Sequence, residues 1–79
     1  MAIDSTDHQI IEFLLKEKGD TKIDIHNSQG EWVHTLVDHE YRNKGYYYKR
    51  LRTKKLEAGV YQVILKAKGI KEVDKLVVL

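Results

Sequence analysis

The segment Leu56-Glu57-Ala58-Gly59-Val60-Tyr61-Gln62-Val63-Ile64-Leu65 limits the fold more than any other stretch of this 79-residue chain. It reads as a leucine, a Gly-x-Tyr corner and then alternating apolar residues. Glycine enters positive φ without steric cost, so Gly59 frees the backbone at the corner. Tyr61 then buries its ring on the strand it opens. Its hydroxyl reaches back to the backbone of the loop just left, the tyrosine-corner device of two-layered sandwiches. Leu56, Gly59 and Tyr61 are therefore expected to form a structural corner between a loop and an inner strand.

The rest of the chain agrees with that layer architecture. Ile11, Phe13 and Leu15 alternate with Glu12, Leu14 and Lys16, and Ile23 and Ile25 with Lys22, Asp24 and His26. Period-two alternation turns one side of each segment to a core and the other to solvent. Residues 7–18 also admit a helix with Asp7 as N-cap, but the strand reading fits better the turn at Lys18-Gly19-Asp20. Further turn signals fall at Asn27-Ser28-Gln29-Gly30, Asn43-Lys44-Gly45, Ala58-Gly59 and Lys68-Gly69. Short strands between regularly spaced turns indicate a sandwich or barrel. Asn27 to Gly30 suits a type I turn closed by a left-handed glycine, with a small bulge. In that register Ile25 pairs with Val33, and His26 with Trp32. The expectation is an all-β, immunoglobulin-like antiparallel sandwich of about seven strands over residues 8–79, with residues 1–7 as an N-terminal extension. Its core draws on Ile11, Phe13, Leu15, Ile23, Ile25, Val33, Leu36, Leu56, Tyr61, Val63, Leu65, Leu76 and Val78.

Composition narrows the function classes. A domain of this size buries only about 60–65% of its unfolded surface, so each apolar position matters. Without cysteine it has neither disulfides nor thiolate metal sites. Fourteen basic against 12 acidic side chains is too even a balance to imply nucleic acid by itself. Its apolar runs are far shorter than a membrane span. The first residues lack the basic and apolar regions of a signal peptide, so Met1 opens either a native chain or a piece cut from a longer one.

Four motifs, taken in order, carry a resemblance. Ile11-Glu12-Phe13-Leu14-Leu15 fits an "I-x-F-x-L" opening strand, and Ile23 through Leu36 an "I-x-I-Y-D-x-x-G-x-x-V-x-x-L" hairpin. Lys44-Gly45-Tyr46 followed by Leu56 to Tyr61 is similar to a "G-Y … L-x-x-G-x-Y" middle, and Lys75-Leu76-Val77-Val78 to a closing "K-L-V-V" strand. Together they resemble the immunoglobulin-like C-terminal sorting domain of type IX secretion, kin to the Ig-like domain of flagellar hook-capping proteins. The chain differs where it has Ser5-Thr6-Asp7 in place of Asn-Pro, His26 in place of tyrosine, and Lys49 and Leu51 in the strand after Gly45. The resemblance implies a non-catalytic module of a larger exported bacterial precursor, at the cell surface or outside the cell and read by secretion machinery. A native start at Met1 would instead leave it cytoplasmic.

Candidate chemistry concentrates in one span. Arg42, Lys44, Lys49, Arg50, Arg52, Lys54 and Lys55 are half of the basic residues, uninterrupted by any acid and interleaved with Tyr46, Tyr47 and Tyr48. Such a stripe is a solvated edge strand, where lysines and arginines block aggregation, or a nucleic-acid platform, where charges track phosphates and rings stack on bases. The candidate partner-binding surface is therefore Arg42, Lys44, Tyr46, Tyr48, Lys49, Arg50 and Arg52, with Trp32 as a further exposed or half-buried contact. Of these readings for Trp32, packing in or beside the core is preferred. His34, Asp38, His39 and Glu40 crowd together, but adjacent strand residues point to opposite faces, which argues for a polar loop over a metal site. No nucleophile elbow or Gly-rich phosphate loop is present, and the carboxylates are scattered. No enzyme, cofactor or metal is expected. A monomeric protein-binding module comes first, with a small nucleic-acid-binding domain or a structural cap as alternatives.

Overall fold

The computed structural model describes residues 8–79. They form six strands: β1 (His8–Leu15), β2 (Gly19–Asn27), β3 (Trp32–Arg42), β4 (Gly45–Arg52), β5 (Gly59–Ala67) and β6 (Ile70–Val78). All pairings are antiparallel, in a two-stranded sheet β1-β4 and a four-stranded sheet β3-β2-β5-β6. The expected β-sandwich is present with six strands, not seven. Residues 32–42 stay one eleven-residue strand, bent by bulges where a turn would have split it.

β2 and β5 form the centre. Ile23 pairs with Leu65 and Ile25 with Val63, so the inward phases of both strands coincide. Leu76 and Val78 from β6 extend that layer, and Phe13 and Leu15 from β1 with Leu51 from β4 close over it. The residues expected in the core are buried, except that Ile11, Val33, Leu36 and Leu56 pack half-buried at its margin. Val37 and Leu51 are buried members that the alternation had not singled out.

The β2-β3 hairpin corrects the expected register. Asn27 accepts from Gly30 N–H through its carbonyl at 3.0 Å, and its Oδ1 caps the N–H groups of Gln29 and Glu31. Gly30 sits at φ 85, as a type I turn closing into a bulge requires. His26 pairs with Trp32 as expected, but Ile25 pairs with His34. Val33 is the extra residue of that bulge, and Leu36 sits in another. A third bulge precedes Glu40, where His39 adopts φ 51. Each bulge adds an unpaired residue and twist. β3 can hold three of them because it is an edge strand, and they spoil it as a template for aggregation.

Two corners of the same kind open β4 and β5. Tyr61 Oη donates to the Glu57 carbonyl at 2.7 Å, and Tyr47 Oη to the Asn43 carbonyl at 2.7 Å, each reaching four residues back. Gly59 and Gly45 precede these tyrosines by two and both sit at φ 154. The second corner went unread in the sequence, where three consecutive tyrosines hide which one is turned inward. The Tyr47 ring stacks on Phe13 with centroids 5.5 Å apart. Arg42, at the end of β3, lays its guanidinium 5.0 Å from the Tyr47 centroid and 5.7 Å from that of Phe13. Its Nη2 donates to Glu40 at 2.7 Å. An arginine laid against two stacked rings is held by the ring quadrupoles as well as by contact area.

Gly59→Val should lower unfolding free energy by more than ~1 kcal/mol through backbone strain, since no neighbour lies within 4 Å of the new Cβ. Tyr61→Ala should cost about 3–5 kcal/mol and Tyr61→Phe about 1 kcal/mol, the latter isolating the hydroxyl bond. Urea unfolding checks all three, and parent-like midpoints would refute the corner. By the same measurement Arg42→Ala should cost about 1–2 kcal/mol, and much less in a Tyr47→Leu background.

Candidate partner-binding surface

Strand pairing sorts the basic-aromatic stripe into separate places. On β4 the inward phase is Tyr47, Lys49 and Leu51, and the outward phase is Tyr46, Tyr48, Arg50 and Arg52. β1 pairs with it without a bulge, setting Leu14 against Tyr46, Glu12 against Tyr48, Ile10 against Arg50 and His8 against Arg52. The two-stranded sheet thus turns one regular eight-residue face away from the core. Tyr46 and Tyr48 are 70% and 72% exposed, and Ile10 and Leu14 about half. Four large apolar side chains shown to solvent on one small sheet form a contiguous patch of the kind that marks interaction sites.

The chemistry of this face is graded. Tyr46, Tyr48 and Leu14 occupy one end, and Arg50, Arg52 and His8 the other. Glu12 lies between them and accepts a hydrogen bond from Tyr46 Oη at 3.2 Å. That bond, together with repulsion from the same carboxylate, raises the Tyr46 pKa above its ordinary value, so the phenol stays a donor. Flat rings with polar tips beside guanidinium groups are the side chains that protein interfaces favour.

Several of the expected surface residues lie elsewhere. Arg42 is packed on Phe13 and Tyr47. Lys49 is half-buried on the inward phase, opposite Ile11. Lys44 is exposed in the β3-β4 connection, and Lys54 and Lys55 in the turn after β4. Trp32 is 62% exposed, which corrects the preferred core placement. It sits on β3 of the four-stranded sheet, and its Nε1–H donates to Thr35 Oγ1 at 2.9 Å, which donates to Asp24 Oδ1 at 2.7 Å. The ring lies on the outward phase opposite His26, and this relay anchors its nitrogen. Ile10, Glu12 and Leu14 belong to the face although no sequence signal singled them out. They are the off-phase of β1, and only its pairing with β4 brings them beside the tyrosines.

The crowded histidines and carboxylates find other partners. His39 Nδ1 lies 2.7 Å from Asp20 Oδ2, and Glu40 binds Arg42. Among the described residues no three His, Cys, Asp or Glu side chains converge on a metal position. No helix among them is long and apolar enough to cross a membrane.

Comparison with known proteins adds one match. The family model described as the secretion system C-terminal sorting domain matches residues 5–79. No curated protein and no solved structure matches the chain. The match takes in all six strands and both corners, and the sandwich is the one that the resemblance implied. The chain belongs to the type IX secretion C-terminal sorting domain family and is a non-catalytic sorting module.

Proposed function

We propose that this module is the address on a larger exported precursor, and that secretion machinery reads the outward face of β1 and β4. The exposed ladder of Tyr46, Tyr48, Arg50 and Arg52 beside Ile10 and Leu14 carries the reading, because no packing need of the fold accounts for it. The mechanism is passive. The corners and the Phe13–Tyr47 stack hold the face rigid, so a receptor meets aromatic anchors already ordered and little entropy is lost on docking. Arg50 and Arg52 steer an acidic receptor surface and set orientation. The module works as a monomer, and its destination is the cell surface, where the precursor is attached.

A fusion of residues 3–79 to a periplasmic reporter in a type IX-competent host tests this. The parent fusion should display the reporter on the cell surface. Tyr48→Ser with Arg50→Glu should cut display more than about tenfold while the purified domain melts like the parent. A parent fusion retained in the periplasm defeats the sorting role. Undiminished display of the double variant defeats the assignment of the face.

A further inference from the structure

On the opposite side of the molecule, three lysines stand in one row across three strands. Lys22 of β2 is the direct cross-strand partner of Lys66 of β5, which is the direct partner of Lys71 of β6. All three belong to the outward phase, since their neighbours Ile23 and Leu65 face the core. Directly opposite side chains on a sheet sit about 5 Å apart, and like charges there cost stability. Lys68, in the β5-β6 turn, adds a fourth ammonium at the same end. Lys22, Lys66 and Lys68 line an open depression of about 330 Å³ that also takes in Gly19, His39 and the carboxylate of Asp20.

Of the acids nearby, Asp20 and Asp24 are engaged, and Glu17 and Glu72 stand beside Lys68 without an ion pair to it. Asp20 is held by His39 at 2.7 Å and Asp24 lies 3.6 Å from Lys22, while no ion pair to Lys66, Lys68 or Lys71 occurs among the described residues. The rim is strained as well, with His39 in a left-handed conformation that a bulky residue rarely adopts. Gly19 keeps the floor narrow, since a Cβ there would come within 3.3 Å of Lys68 Cβ. Repulsion within the row and strain at its edge are both costs to the empty fold. A ligand carrying several negative charges relieves the first.

We propose that the Lys22-Lys66-Lys71 row, with Lys68, is a binding site for a soluble polyvalent phosphate. Ammonium groups bind phosphate oxygens as point charges and need no planar fork. A row of three about 5 Å apart engages successive phosphoryl groups of a linear ligand better than a single phosphate. This site is separate from the sorting face and stands whether or not that face is read by a receptor.

Titration of the 79-residue chain with tripolyphosphate and with inorganic phosphate, followed by amide NMR at low salt, tests the site. Tripolyphosphate should shift the signals around residues 22, 66, 68 and 71 and bind far more tightly than inorganic phosphate. Lys66→Thr should weaken that binding about tenfold or more. Without ligand, the same variant should melt above the parent, because the repulsion is gone. Lys75→Thr, on the same face but four residues along β6, should change neither reading. Absence of binding, shifts spread evenly over all basic residues, equal weakening by Lys75→Thr, or a lower melting point for unliganded Lys66→Thr would each overturn the proposal.

Discussion

A single hydroxyl-to-carbonyl bond, from Tyr61 to Glu57, holds the point at which the chain leaves a loop and enters the central strand of its larger sheet. Everything downstream depends on its phase. With the Tyr61 ring inward, Val63 and Leu65 also face inward, and β5 then meets Ile23 and Ile25 of β2 in one register. A slip of one residue would turn Lys66 and Gln62 into the core. The same device at Tyr47 sets β4, and the two glycines that precede these tyrosines share one backbone conformation. A chain without disulfides, and with little area to bury, thus specifies both of its sheets by repeating one local construction.

The two sheets divide the remaining tasks. The β1-β4 pair is regular, with Phe13 and Tyr47 stacked beneath it and aromatic and basic side chains on its open face. The four-stranded sheet carries the irregularities. β3 is bulged three times, and β6 sets Glu72 and Asp74, both exposed, on its inward phase opposite Leu65 and Val63. Bulges and inward-pointing charges are two ways in which natural sheets keep their edges from pairing with other chains. The regular outward face is therefore free to serve recognition, and the irregular edges are protected from accidental association.

How much could be read in advance differs strand by strand. In β2 the alternation, and in β5 the Gly-x-Tyr corner that sets its phase, gave the core positions of Ile23, Ile25, Tyr61, Val63 and Leu65, although Ile64 between them is apolar and buried too. In β3 the same rule misplaced the pairing of Ile25, because each bulge shifts the pairing by one residue, while Trp32 kept its expected place opposite His26 and is exposed there. The basic stripe was visible as a run of charges, yet its residues are dispersed. Strand pleating turns Lys49 inward, and Arg42 leaves solvent for two rings that lie far apart in the chain. Glu12 and Leu14 could be read as the solvent side of β1, but that they and Ile10 lie beside the β4 tyrosines followed only from the pairing of β1 with β4.

Local chemistry alone determined the strands, the turns at the glycines and the tyrosine corner, since each rests on backbone sterics and period-two patterning within about ten residues. Family membership was legible for the same reason, being written in those short motifs. Tertiary structure decided what lies beside what: the outward face of β1 and β4, the packed arginine, the second corner and the row of lysines. These depend on pairing between strands tens of residues apart. Register along a ladder, with its bulges, is an energy shared by two segments and is encoded in neither one by itself.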